Sequence, residues 1–143
     1  MSKFAFGASS IKNLTGVHPV LVDIVREALA LSTVDFKVIE GVRTPERQKT
    51  LYAQGRTTAG PIVTWTLNSN HFVNKSTGFG HAVDILPAPY DWKDTKPFDE
   101  VAKAMFAAAE KMGVVIRWGA DWDSDGKPRE KGESDSPHFE LVL

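Results

Sequence analysis

The chain has 143 residues, of which 42% are hydrophobic and 24% are charged, and its formal net charge at pH 7 is -1. This length is typical of one domain with its own core, residues 1–143, and the composition excludes a disordered chain. The near-zero charge, without a run of Lys or Arg, argues against a nucleic-acid partner, and the absence of cysteine leaves only histidine and carboxylate as ligands for a transition metal.

The first half of the chain predicts a helix, a strand and a second helix. Apolar residues recur at helical spacing over 18–31. The next segment, 35–42, is rich in β-branched and aromatic residues and predicts a strand. Thr44 is a typical N-cap and Pro45 follows it, so a helix is expected from there to about residue 54.

The second half alternates polar loops with regular elements. The polar stretch 56–80 predicts a long loop, and loops of this length are often functional. A strand over 81–86, a helix over 97–112, a strand over 114–118 and a final strand over 138–143 follow, with a second polar loop before the last of them. This order predicts an α+β domain with helices packed on one small, mainly antiparallel sheet.

Histidines and carboxylates are concentrated where the two polar loops lead into strands. Ser69-Asn70-His71 is followed by Gly80-His81-Ala82-Val83-Asp84, and the second loop ends in Asp135-Ser136-Pro137-His138. A catalytic zinc ion needs three protein ligands and an open position for water, which two histidines and one carboxylate would supply. The remaining histidine, His18, precedes a proline at a helix start and is expected to be an ordinary helix-terminus residue.

These motifs resemble those of the zinc peptidases of the D-alanyl-D-alanine carboxypeptidase and L-alanyl-D-glutamate endopeptidase group, which includes several phage endolysins. That group has Ser-x-His, then Gly-x-Ala-x-Asp, then an acidic residue three positions before a final His. The segments KFAFGASSIKNLTGVHP, EGVRTPERQ and IRWGADWD are also similar to the phage branch, so the resemblance covers nearly the whole chain. It implies the α+β fold of Hedgehog-like and DD-peptidase-like domains.

The resemblance implies a role for each matching residue. One zinc ion (Zn2+) per chain would be bound by His71, Asp84 and His138. Asp135 would be the catalytic general acid/base, because a water activated by the metal needs a nearby carboxylate to relay its proton. Arg43 would bind a substrate carboxylate, with a structural ion pair as the alternative. Ser69 is a further candidate for substrate binding.

The residues alone leave three further assignments undecided. Glu140 lies on the same predicted strand face as His138, so it either supports that ligand or is a surface charge. His81 is expected to lie beside the cleft without binding the metal. The acidic segment Asp121–Asp125 is similar to the start of an EF-hand loop, which makes weak binding of Ca2+ a candidate, although the Glu expected at its twelfth position is replaced by Gly132.

One spacing departs from the family. The His and Asp of the first motif are seven positions apart in most relatives, but His71 and Asp84 are thirteen apart, so 72–79 contains about six extra residues. An ungapped match would place the ligand at Thr77. Either His71 is the ligand and the insertion bulges from the loop, or His81 replaces it, or the site is inactive.

The first of these hypotheses is favoured. His71 is preceded by Ser69, as in the family. His81 and Asp84 are an odd number of positions apart, so they should point to opposite faces of an extended strand and should not bind the same ion.

The sequence and the resemblance together predict a peptidoglycan-degrading zinc endopeptidase. The expected bond is L-alanyl-D-glutamate in the stem peptide, and the expected role is a phage endolysin that causes host cell lysis. A D-alanyl-D-alanine carboxypeptidase is one alternative, for which an export signal would be expected. An inactive, zinc-containing peptidoglycan-binding module is another, against which Asp135 argues because a purely structural site needs no proton relay.

The expected location follows from the start of the chain, which lacks the continuous apolar region of a signal peptide. Synthesis in the host cytoplasm is expected, followed by action on the cell wall in the periplasm after a holin-type release. The apolar stretches are too short for a membrane span, and a monomer is expected.

Overall fold

The computed structural model describes residues 4–60, 71–91, 93–121, 128–129 and 135–142. Within these ranges it has four helices and four strands. In chain order they are α1 (Ala8–Leu14), α2 (Pro19–Leu31), β1 (Phe36–Glu40), α3 (Pro45–Ala53), β2 (Ala82–Pro87), α4 (Lys96–Met112), β3 (Ile116–Trp118) and β4 (His138–Leu141). Every predicted helix and strand is present, with ends that differ by at most two residues.

The four strands form one antiparallel sheet in the order β1-β2-β4-β3. The two central strands come from opposite ends of the second half of the chain, and their register pairs Asp84 with His138. Two of the predicted metal ligands are therefore cross-strand neighbours. The predicted α+β class, with helices on a small antiparallel sheet, is confirmed.

One face of the sheet packs against α2 and α4 and forms the core. Val83, Ile85 and Phe139 belong to this core, together with Leu21 of α2 and Met105 of α4. Because side chains alternate along a strand, the residues between them point to the opposite face. The polar side chains of β2 and β4 lie on that second face, which includes the predicted metal ligands of these strands. The hydrophobic core packs against the other side of the same strands.

The sequence does not predict α1. This helix has only seven residues, with Ser10 and Leu14 buried, which is too short for a recognisable apolar stripe. Its side chains cover the open edge of β1, where the Val38 N–H donates to Ser10 Oγ at 3.1 Å and Asn13 Nδ2 donates to the Val38 carbonyl at 2.9 Å. Contacts with a strand that follows it in the chain thus stabilise α1.

A bulge in β1 changes which residue reaches the polar face. Val38 pairs with Ile85, yet Glu40 pairs with the adjacent Asp84, so Ile39 is an extra residue. An extra residue of this kind reverses the alternation of side chains beyond it. Glu40 therefore shares a face with Asp84, where the regular pattern would have placed it among the core residues.

Among the described helices, none combines the length and the hydrophobicity that crossing a bilayer requires.

Candidate metal centre

Three side chains converge on the polar face of the sheet. One potential ligand atom from each of His71, Asp84 and His138 lies within 4.8 Å of the other two. Asp84 Oδ1 is 3.3 Å from His71 Nε2 and 3.3 Å from His138 Nδ1. Nitrogen and oxygen ligands of a tetrahedral ion, at metal distances of ~2.0–2.1 Å, lie about 3.3 Å from one another. The two distances from Asp84 Oδ1 match this value, and all three atoms are close enough together to hold one metal ion.

Each imidazole is oriented by a hydrogen bond on its other side. His71 Nδ1 donates to the carbonyl oxygen of Gly41 at 2.7 Å, which directs Nε2 towards Asp84. His138 Nε2 donates to Glu140 Oε1 at 2.7 Å, which directs Nδ1 towards the same carboxylate. Hydrogen bonds of this kind fix the tautomer of a metal-binding histidine. The two histidines thus offer different nitrogens, Nε2 and Nδ1.

The electrostatics of the group favour a bound cation. Burial alone would raise the pKa of Asp84, but hydrogen bonds from His138 and His71 and their charges hold it well below its usual value. Burial lowers the pKa of His138, and the carboxylates of Asp84 and Glu140 outweigh this and raise it to about 9. The same carboxylates that favour a proton on His138 would favour a metal ion, and binding of a metal ion requires the neutral imidazole.

The inserted segment 72–79 forms a turn that leaves the site and returns to it. Val73 pairs with Gly80 across an isolated antiparallel bridge. Inside it, the Asn74 N–H donates to the Phe79 carbonyl at 2.8 Å and the Gly78 N–H donates to the Asn74 carbonyl at 2.7 Å. His71 precedes this turn, and its carbonyl accepts the N–H of Arg43 at 2.8 Å, so it is held from the β1 side.

His81 contacts residues other than the three predicted metal ligands. Its Nε2 lies 2.8 Å from the hydroxyl of Thr77, and its ring packs edge-to-face with His18 at 5.5 Å. Burial, and the charge of His18, lower its pKa. The structure therefore brings His71, and not His81, to Asp84 and His138, while Thr77 and His81 connect the inserted turn to the start of α2.

Asp135 lies at the open side of the group. Its Oδ2 is 4.0 Å from His138 Nδ1, and half of its side chain is exposed. Burial and the nearby charge of Asp84 raise its pKa, against the opposing charges of His138, His71 and Arg43. A carboxylate with a raised pKa, beside the site and open to solvent, is suited to accept and return a proton.

The Arg43 side chain is enclosed by protein groups. It is 10% exposed, and its guanidinium contacts Glu40 Oε1 at 2.9 Å, Gln48 Oε1 at 2.8 Å and Asp84 Oδ2 at 3.4 Å. These are contacts of the kind expected for a structural ion pair, and they leave Asp84 Oδ1 directed at the two histidines. Binding of a substrate carboxylate by Arg43 stays a prediction.

Two predicted sites fall wholly or mainly outside the described residues. Ser69 is one, so its place relative to the metal group stays a prediction. The calcium loop is the other, because only Asp121 of its aspartates is described. Asp121 is buried, and its N–H donates to the Trp118 carbonyl at 3.0 Å.

Comparison with known proteins decides the family. Residues 1–142 match the model of the phage L-alanyl-D-glutamate peptidase family. The chain belongs to this family. The resemblance read from the motifs is thereby confirmed.

Relatives of phage and bacterial origin cover almost the whole chain. It is 33% identical to the L-alanyl-D-glutamate peptidase of Escherichia phage T5 over 145 residues, covering 97% of this chain and 98% of that protein. It is 25% identical to the Bacillus subtilis peptidoglycan L-alanyl-D-glutamate endopeptidase CwlK over 131 residues, covering 88% and 74%. The crystal structure of the Serratia marcescens L-Ala D-Glu endopeptidase ChiX matches with a TM-score of 0.74 at 33% identity, covering 98% of this chain and 92% of that chain.

Several residues around this peptidase site were not singled out from the sequence. These residues are Glu40, Gln48, Arg117 and Gly119. The first two contact Arg43, the third contacts Glu140, and the fourth lies close to Asp135. All four lie inside the segments EGVRTPERQ and IRWGADWD, which carried the resemblance. The sequence therefore contained a signal for these four residues. Their roles could not be assigned from it, because their contacts depend on the bulge in β1 and on the register of β3 with β4.

Proposed function

We propose that the protein is a zinc endopeptidase that hydrolyses the L-alanyl-D-glutamate bond of the peptidoglycan stem peptide. The main support is the convergence of His71 Nε2, Asp84 Oδ1 and His138 Nδ1 beside the carboxylate of Asp135. The family and the names of the relatives supply the bond and the polymer.

Zinc suits this ligand set. Two imidazoles and one carboxylate are a common set for catalytic zinc, and they leave a fourth position open. Bound there, the ion would polarise the scissile carbonyl and lower the pKa of a water molecule.

Asp135 moves the proton in this mechanism. Its Oδ2, 4.0 Å from His138 Nδ1, is close enough to accept a proton from a water that attacks the L-alanyl carbonyl carbon. The carbon–nitrogen bond then breaks, and Asp135 returns the proton to the departing amino group of D-glutamate. Its raised pKa helps because the carboxyl group must hold the proton between the two steps.

Substrate binding is assigned to Arg43 and Ser69. Contacts with described residues use three of the five guanidinium N–H groups of Arg43, so the group can still donate to a carboxylate of the stem peptide. Its low exposure requires that carboxylate to enter the cleft. Ser69, two residues before His71, is proposed as a second polar contact for the peptide.

The proposed biological role is that of a phage endolysin. The protein would be made in the host cytoplasm, reach the cell wall after a holin-type release, and lyse the cell as a monomer.

The products of digestion test the bond assignment. Mass spectrometry of purified peptidoglycan after digestion should detect fragments with a new amino-terminal D-glutamate and a matching carboxyl-terminal L-alanine. Release of D-alanine alone would instead identify a carboxypeptidase. Binding to the polymer without any new fragment would identify an inactive binding module.

Metal removal should abolish this activity. We expect about one zinc per chain in the purified protein, because the group offers three ligand atoms, as many as one catalytic ion uses. Treatment with a chelator should stop the release of fragments, and added zinc should restore it, as measured by metal analysis and fragment yield on the same samples. Full activity in thoroughly demetallated protein would contradict the mechanism.

Gly119→Ala should separate proton relay from metal binding. A Cβ at Gly119 would collide with the carbonyl oxygen of Asp135 and lie 2.8 Å from its Cβ. Because displacement of a catalytic group by about 1 Å can cost roughly 100-fold, we expect a loss of that order in kcat. Zinc content should stay near wild type, since Asp84 and His138 are held by strand pairing.

The matched control is Gly7→Ala, at a position where an added Cβ meets no atom within 4 Å. It should leave kcat unchanged. Wild-type kcat in Gly119→Ala would show that the position of Asp135 does not limit the reaction.

A further inference from the structure

We infer that Glu140 and Arg117 are positioning residues of the metal centre: Glu140 selects the nitrogen of His138 that binds the metal, and Arg117 holds Glu140 in place. This inference rests on the proposed metal site. Glu140 does not belong to the group formed by His71, Asp84 and His138, and the guanidinium of Arg117 has no lone pair to offer a metal ion.

Glu140 is placed for this role by the alternation of β4. It lies two residues after His138, so both side chains point to the polar face of the sheet. Its residue exposure is 5%, and Oε1 is 2.7 Å from His138 Nε2. An ionised carboxylate can only accept, so the proton of the neutral imidazole stays on Nε2 and Nδ1 is left to bind the metal.

Arg117 contacts Glu140 on the side away from His138. The register of β3 and β4 sets the two residues directly opposite each other. Arg117 Nη2 is 3.3 Å from Glu140 Oε2, the oxygen that does not face His138. A buried carboxylate is unfavourable unless it is paired, and a guanidinium on its far side both compensates its charge and limits its rotation.

The two histidines differ in what holds them. His71 donates to a neutral backbone carbonyl, that of Gly41, whereas His138 donates to a carboxylate. Hydrogen bonds to a charged acceptor are roughly twice as strong as those between neutral groups, and a carboxylate partner raises the basicity of the ligand. Removing the charge of Glu140 should therefore weaken metal binding through His138.

The competing explanation is an ordinary cross-strand ion pair that supports the sheet. Such a pair contributes to folding stability, and Arg117 is 42% exposed, so its contribution would be small. A purely structural pair would change the unfolding temperature and leave the zinc affinity of the folded protein unchanged. Zinc affinity, measured on folded protein, therefore distinguishes the two explanations.

The experiment is a chelator competition that measures zinc affinity in Glu140→Gln, Arg117→Gln and Arg117→Lys, with circular dichroism confirming that each variant is folded. Glu140→Gln should bind zinc about 10- to 100-fold more weakly. Arg117→Gln should weaken binding about two- to fivefold, the effect of a partly exposed ion pair, and Arg117→Lys should recover part of that loss. In the zinc-loaded wild type, nitrogen chemical shifts of His138 should identify Nδ1 as the bound atom.

The matched control is Lys111→Gln, which breaks an exposed ion pair with Glu27 on the helical layer. It should leave zinc affinity unchanged, and an equal loss there would overturn the inference. Wild-type affinity in both Glu140→Gln and Arg117→Gln would also overturn it. Should Glu140→Gln fail to fold, the edge-strand variant Arg117→Gln decides alone. A wild-type protein that binds no zinc would instead refute the proposed function itself.

Discussion

Replacing His71 with alanine should remove the bound zinc and the peptidase activity together. The substitution deletes one of the three proposed ligands and leaves Asp84 and His138, which cannot hold a catalytic ion in the required geometry. Hydrolysis of purified peptidoglycan should fall to the level of the metal-free protein. Metal analysis and fragment yield, measured on one preparation, check both parts of this expectation.

His81→Ala is the matched control, because it removes the same side chain ten residues later in the same segment. Zinc should be retained, and at least part of the activity with it. The lost hydrogen bond to Thr77 should lower the free energy of unfolding by about 1 kcal/mol, measured by denaturant titration. If His81→Ala loses zinc and His71→Ala keeps it, the assignment of the inserted segment is reversed.

Asp135→Asn should reduce kcat by about 100- to 10,000-fold, the range for loss of a general acid/base. The amide has nearly the same size as the carboxyl group but cannot take the proton. Zinc content should stay near wild type because Asp135 is outside the group of three proposed ligands. Binding to insoluble peptidoglycan should also survive, so a pull-down assay complements the kinetics.

The control for charge removal is Asp23→Asn on the exposed face of α2, which should not change kcat. Loss of zinc in Asp135→Asn would make Asp135 a ligand and reopen the assignment of the other three. Unchanged hydrolysis with zinc retained would exclude Asp135 from the mechanism and leave the proton relay to another group.

Local signals in the sequence predict most of the fold. The Thr44 hydroxyl accepts the Arg47 N–H at 3.1 Å, as the N-cap pattern indicates, and Gly113 ends α4 in the left-handed conformation. Such features depend on a few neighbouring residues. In contrast, α1 depends on hydrogen bonds to Val38 across 25 and 28 positions, which no local pattern contains.

The candidate site also has one part that local sequence signals predict and another part that they do not. Motif spacing is enough to single out His71, Asp84 and His138, although their roles stay predictions. The spacing does not predict which ring nitrogen each histidine offers to a metal ion, because this depends on the hydrogen bonds to Gly41 and Glu140. The contacts of Arg43 and Glu140 also depend on a bulge and on a strand register, and both arise only when distant segments pair.

The turn over 72–79 is attached in a way that should make the geometry of the site independent of the length of the turn. Its two ends are clamped by the pairing of Val73 with Gly80, and His71 is anchored independently by Gly41 and Arg43. We therefore expect that residues can be added or deleted within the turn without moving the histidine, with loss of the contact between Thr77 and His81. Because of the same pairing, we expect this turn to accept an inserted foreign peptide, such as one that directs the enzyme to a chosen bacterial surface.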